Sequence, residues 1–156
     1  MTDRIDSFQG QYRFLSNFSP TTTIVDRYGI TYRTAEHAYQ AGKTEDSWER
    51  KQIAAVRTAG EAKRLGRHLT LPLDWDERRH TVMRMVLVAK FSDPDLARLL
   101  IETGDAELVE GNNWHDQFWG DCVCGRMSCD TPGENWLGQH LMHLRDELRN
   151  QITKEN

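Results

Sequence analysis

No stretch of the chain approaches the ~20 consecutive apolar residues that a membrane-crossing helix needs, so a helical membrane protein is not expected. Basic charge is not in excess either. Twenty Lys and Arg face 24 Asp and Glu, for a formal net charge of −4. That balance argues against general attraction to nucleic-acid phosphates and leaves room only for a local basic groove. With 4 Pro and 11 Gly, the chain lacks the composition of a disordered or low-complexity protein. It contains no G-x-x-x-x-G-K-[ST], no G-x-G-x-x-G and no H-E-x-x-H. Cysteine is scarce and odd in number: Cys122, Cys124 and Cys129 fall within eight positions. An odd, clustered set does not build a disulfide framework. The start, Met1 to Asp6, is polar and acidic, unlike a secretory signal. A cytoplasmic location is the resulting expectation.

What is present fits one soluble domain covering residues 1–156. A chain of about 150 residues buries roughly 68–70% of its unfolded surface. The β-branched run Thr21–Asp26, a turn at Arg27–Gly29 and the return Ile30–Tyr32 predict a β-hairpin. Thr34 is placed to cap a helix running to about Lys43. Further helices are predicted at about 46–57, 59–67, 75–91, 93–103 and 134–149. In the last, Leu137, Leu141, Leu144 and Leu148 form one apolar stripe. A short strand is predicted at 108–110 and loop over 111–133, with a loose start at 1–7 and a polar tail at 150–156. The class is α+β, mainly helical with small β elements.

Five places can carry chemistry. On the first helix, Glu36, Tyr39, Gln40 and Lys43 share one face at i, i+3, i+4 and i+7. They are either a reactive constellation beside small Ala and Gly residues or a solvated face. In Phe118-Trp119-Gly120-Asp121, Trp119 can stack on a ring with Asp121 beside it, or these residues close the core and shape a turn. In Tyr12 to Phe18, read as a buried strand or loop, Arg13, Ser16 and Asn17 can bind phosphate or sugar. Local backbone bonding is the simpler reading there. Lys90 continues the stripe of Met83 and Leu87, so it either delivers a cation to an anionic ligand or, as the pattern favours, snorkels to the surface. Finally, His115 with Cys122, Cys124 and Cys129 has the ligand types of a zinc site. The spacing is not the usual pair of C-x-x-C, and free thiols are the default reading, with no metal and no cofactor expected.

Taken in order, several motifs are similar to one family. They are Phe14-Leu15-Ser16-Asn17-Phe18, the Glu36-to-Lys43 helix, Trp75, Ala89-Lys90-Phe91, Leu108-Val109-Glu110, Trp119-Gly120-Asp121, and Asn135-Trp136-Leu137-Gly138 with Leu141 to Arg145. The chain resembles the NADAR family, also called YbiA-like or DUF1768, over about residues 8–149. The resemblance implies a YbiA-type α+β fold and an N-glycosidase. One branch acts on phosphoribosylamino-pyrimidine intermediates of riboflavin biosynthesis, the other on ADP-ribosylated guanine in DNA or RNA. By the same motifs it implies Glu36, Lys43, Trp75, Trp119 and Asp121 at or near the active site. An enlarged Cys-containing loop, 122–134, departs from the shorter family pattern. Cleaving a ribosyl C1′–N bond places positive charge on C1′, which a carboxylate stabilises, and negative charge on the departing base, which needs a proton. Glu36 and Asp121 suit the first task, Lys43 and Arg13 the second or a phosphate. Lys43 can alternatively attack C1′ and form a Schiff base. A non-catalytic ADP-ribose or nucleotide reader, and a zinc-stabilised interaction module, are the other expectations left open.

Overall fold

A computed structural model describes residues 3–155. Met1, Thr2 and Asn156, the outermost positions of the expected domain, lie outside it. In chain order the elements are β1 (Arg4–Ile5), a 3-10 turn (Gly10–Leu15), β2 (Pro20–Val25), β3 (Thr31–Thr34), α1 (Ala35–Ala41), α2 (Ser47–Ala55), α3 (Ala59–Gly66), α4 (Trp75–Lys90), α5 (Pro94–Glu102), β4 (Glu107–Leu108), β5 (Gly111–Asn112), β6 (Asp121–Cys122), a 3-10 turn (Met127–Cys129) and α6 (Trp136–Glu155). Helices take about half the chain and the strands are short, which makes the fold α+β. Among the described residues no helix is long and apolar enough to cross a membrane. The contacts divide the chain into two compact units, 17–94 and 1–16 with 95–156.

In the first of these, β2 and β3 form the expected antiparallel hairpin. Its turn is built by Asp26, whose Oδ1 accepts the N–H groups of Tyr28 (2.9 Å) and Ile30 (3.0 Å), and by Gly29 at φ 75°. The chain passes straight from β3 into α1, because Thr34 Oγ1 accepts the His37 N–H at 3.2 Å. Every residue of α1 is buried. Ala35, Ala38 and Ala41 let the helix sit close to Ile24, Tyr32, Ile53, Ala62 and Val86. Caps start the next helices: Asp46 accepts from Trp48 and Glu49, and Thr58 with Glu61 makes a reciprocal capping box.

In the second unit, β1 pairs parallel with β4, so residues 4–5 are a strand rather than a loose start. β5 pairs parallel with β6 inside the predicted loop. The stripe on α6 buries Leu137, Leu141 and Leu144. The helix continues to Glu155, in place of the expected polar tail. Asn135, at φ 52°, clamps its start: Nδ2 donates to Leu108 O (2.8 Å) and Oδ1 accepts from Glu110 N–H (3.0 Å). A Cβ on Gly138 would lie 2.0 Å from Leu108 O, so this close approach needs glycine. Of the strand and loop alternatives for this stretch the strand is absent: residues 10–15 form a 3-10 turn, and Phe18 is 41% exposed, not buried. The buried side chains of this stretch are Leu15, at the end of the turn, and Asn17 and Ser19 in the segment after it, which alternate with half-buried Ser16 and exposed Phe18.

Candidate active site

Within 17–94 the face Glu36–Tyr39–Gln40 is buried, so the solvated-helix alternative fails. Glu36 is only 7% exposed and its Oε1 accepts from Gln40 Nε2 at 2.7 Å. Its backbone N–H donates to Asn17 O at 2.9 Å. Asn17 Nδ2 donates to Met83 Sδ at 3.4 Å. Asn17 Oδ1 and Gln40 Oε1 are buried without a hydrogen-bond partner among the described residues. Each such atom costs about 1–3 kcal/mol, which only firm packing sustains.

Lys43 follows α1 by one turn residue and is half-buried, its Nζ 5.8 Å from the Tyr39 ring centre. Burial pushes its ammonium below the ordinary lysine value, the Glu36 carboxylate pulls it back up, and Lys63 and Arg67 push it down again. A carboxylate and a partly desolvated amine therefore stand in one field, with two more cations from α3 and the turn after it. Sequence reading missed Lys63 and Arg67; their i, i+4 spacing at the end of α3 was the available signal. Tyr39 packs on Trp75 with ring centres 5.7 Å apart and a 48° tilt. Trp75 thus backs the ring beside Lys43.

His37 was also missed. It is fully buried, with Nε2 3.2 Å from Val56 O and Nδ1 2.7 Å from Thr34 Oγ1. A carbonyl only accepts, so Nε2 carries a proton. Burial lowers the pKa of the ring. It fixes the end of α1 that presents Glu36. Lys90 does not snorkel: it is fully buried, donating to Ser19 Oγ at 3.1 Å, with Nζ 5.2 Å from the Phe91 ring. A second buried network sits behind the hairpin. Burial alone would raise the Asp26 carboxyl, but Tyr32, the Ile30 N–H, Arg50 and the Tyr28 N–H together hold it below its ordinary value. The Arg50–Asp26 pair is 3.1 Å long and borders a cavity of about 370 Å³ that includes none of the candidate residues.

In the unit 1–16 with 95–156, Arg13 is exposed and Ser16 half-buried; the Ser16 N–H closes the 3-10 turn on Arg13 O. Trp119 is half-buried, edge-on to Phe118 at 4.8 Å and 6.2 Å from His140. Asp116, not anticipated, accepts the N–H groups of Phe118 (3.1 Å) and Trp119 (2.8 Å) and so sets the tryptophan's place. A Cβ on Gly120 would lie 2.2 Å from Glu110 O, which explains the glycine of this motif. Asp121 Oδ1 accepts from Gly133 N–H at 2.8 Å. It ties the far end of the loop to β6 and remains half-buried. His115, Cys122, Cys124 and Cys129 gather with their ligand atoms all within 4.8 Å of one another.

The chain is similar to known proteins in sequence and fold. The NADAR domain family matches residues 6–149. The N-glycosidase YbiA of Escherichia coli is 38% identical over 154 residues, covering 95% of this chain and 91% of YbiA. An N-glycosidase of Nostoc punctiforme is 40% identical over 149 residues, covering 91% and 89%. A riboflavin biosynthesis protein of Vibrio vulnificus is 37% identical over 139 residues, which is 87% of this chain and 35% of that protein. The solved NMR structure of E. coli YbiA superposes with a TM-score of 0.81 at 36% identity, covering 98% of this chain and 89% of that one.

Proposed function

The chain belongs to the NADAR family and is an N-glycosyl hydrolase, and from that premise we propose that it works in the cytoplasm on the C1′–N bond of a phosphoribosylated amino-pyrimidine. The observation that carries this reading is the pairing of buried Glu36 with half-buried, pKa-depressed Lys43 beside Lys63 and Arg67. Cations in that number suit a phosphorylated sugar, and the relative named for riboflavin biosynthesis supports the pyrimidine.

In the proposed reaction the neutral Lys43 amine attacks C1′. The C1′–N bond breaks with its electron pair going to the base, which takes up a proton. The ribosyl ring then opens to a lysine Schiff base, and water hydrolyses it to the free sugar and the free amine. The depressed lysine pKa favours this route, since it raises the fraction of nucleophilic amine at neutral pH. Glu36 faces the cationic carbon and relays protons; Asp121 is assigned the second carboxylate role and Trp119 the stacking of the base, both on the family motif. Arg13, Ser16, Asn17, Tyr39, Gln40, Trp75 and Lys90 are assigned to holding the substrate or its contacts.

Mass spectrometry of products from two parallel incubations tests the substrate. One uses a phosphoribosylamino-pyrimidine, the other ADP-ribosylated guanine in DNA or RNA. Free pyrimidine in the first is expected; product only in the second moves the chain to the ADP-ribosyl branch. Binding without any released base would make it a nucleotide reader instead. Borohydride during turnover should trap a covalent adduct that Lys43→Ala abolishes, and Glu36→Gln should fold normally without turnover. No adduct under turnover would favour direct hydrolysis.

A further inference from the structure

We propose that His115, Cys122, Cys124 and Cys129 bind a single zinc ion that fastens the loop between β5 and α6. All three cysteines of the chain take part, and none is in a disulfide. They come from separate places: Cys122 ends β6, Cys124 lies in the following bend, and Cys129 ends a 3-10 turn. His115 arrives from the preceding loop, yet its Nδ1 lies 3.3 Å from Cys129 Sγ, 3.5 Å from Cys124 Sγ and 3.9 Å from Cys122 Sγ. A tetrahedral zinc with Zn–S near 2.3 Å and Zn–N near 2.0–2.1 Å has an N···S edge of about 3.5 Å. The three observed separations bracket that edge, so the imidazole nitrogen stands as the fourth corner over three sulfurs. The whole set of ligand atoms fits within 4.8 Å, the span of one ion rather than of an iron–sulfur cluster.

The backbone is bent toward this purpose. His115 sits at φ 70°, a left-handed conformation that a non-glycine residue holds at a cost of about 1–3 kcal/mol. Gly125, at φ 79°, turns the chain directly after Cys124. β5–β6 pairing, with Val123 N–H on Asn112 O at 2.8 Å, sets Cys122 below the His115 loop. Cys122 and Cys129 are buried, Cys124 is half-buried and His115 exposed, so the ion would close the cluster from the surface side. With Nδ1 on the metal, Nε2 carries the proton. Arg126 Nη1, now 3.3 Å from Nε2, must then turn away, which its exposed position permits.

Four protein ligands leave no open position, the mark of a structural rather than a catalytic zinc. Regular structure in the loop is slight, one two-residue strand and one short 3-10 turn over more than twenty residues, and the rest is held by individual hydrogen bonds such as Gln117 Nε2 to Thr131 O at 2.7 Å. Zinc would supply the rigidity that a hydrophobic core does not. Cys122 directly follows Asp121 and lies three positions after Trp119, so the ion would hold the segment carrying both.

The test uses the untagged full-length chain, reduced and reconstituted with zinc, then cobalt. Elemental analysis should give one zinc per chain. Cobalt exchange should give an intense thiolate charge-transfer band and strong visible bands of tetrahedral cobalt. Cys124→Ser should weaken zinc binding more than the roughly 10- to 100-fold lost with an outer-shell partner, while Val123→Ser, exposed and without a ligand atom, should not. Absence of bound metal with all three thiols reduced, weak octahedral cobalt bands, or unchanged affinity in Cys124→Ser would each overturn the proposal.

Discussion

Replacing Gly66 with alanine should damage the Glu36 centre without touching either of its ionisable groups. A methyl there would lie 1.9 Å from Gln40 Oε1, 2.7 Å from Cδ and 3.0 Å from Cβ. Rotating the amide relieves the first two contacts. The third is fixed to the backbone of α1, so α3 must give as well. Overpacking of this kind costs about 1–3 kcal/mol, against a helix-propensity gain of at most about 1 kcal/mol for Ala over Gly. The net effect is a loss of up to about 2 kcal/mol, and each kcal/mol moves Tm by roughly 2–4 °C in a chain of this size. The displaced amide also releases Glu36, to which it donates at 2.7 Å. A hydrogen bond to a charged group contributes about 1.5–3 kcal/mol, so kcat/KM should fall about 10- to 150-fold. Urea unfolding and steady-state kinetics of Gly66→Ala, Gln40→Ala and the double variant check both numbers. With Gln40 truncated, the clashes with Oε1 and Cδ vanish and only the 3.0 Å contact with Cβ remains, so Gly66→Ala should cost markedly less, a coupling of about 1 kcal/mol. Additive single effects would refute the claim that Gly66 acts through Gln40.

Lys43→Met should abolish turnover yet raise Tm at neutral pH. Burial lowers the folded-state pKa of Lys43, so the unfolded chain binds the extra proton more readily; the lysine costs stability that returns as pH rises through the window between the two values. The gain from methionine should shrink there, which thermal melts across alkaline pH will show. Asp26→Asn should act in the opposite sense. The Asp26 carboxyl is held below its ordinary value, so its contribution is complete above the unfolded-state pKa and disappears as pH falls through the folded one. The variant should be less stable than wild type at neutral pH and converge with it in acid. Gly138→Ala pushes a methyl into the Leu108 carbonyl and, at 2.4 Å, into Asn135 Nδ2; denaturant titration should show a loss of at least about 2 kcal/mol.

Local chemistry is legible in the residues themselves. The hairpin follows from β-branched residues flanking an Asp-Arg-Tyr-Gly turn, α1 from Thr34, and α6 from its leucine stripe, because each depends on neighbours within a few residues. The spacing of Glu36, Gln40 and Lys43 on one face is equally readable. Whether that face meets water or protein is not, since a buried polar stripe and a solvated one are spelled alike. Burial is decided by small residues elsewhere: Gly42, whose added Cβ would meet Val82 at 2.4 Å, and Gly66 against Gln40. The buried state of Lys90 is hidden for the same reason, its hydroxyl partner Ser19 standing 71 positions away.

Helices, hairpin and the polar face of α1 follow from the order of residues, because these are set by short-range sterics and hydrogen bonding. Tertiary structure alone decided the parallel pairing of residues 4–5 with 107–108, the burial of the Glu36 face and the convergence of His115 with three unevenly spaced cysteines. Those outcomes come from contacts between segments distant in the chain, and close approach through glycine and alanine leaves no periodic mark in a sequence.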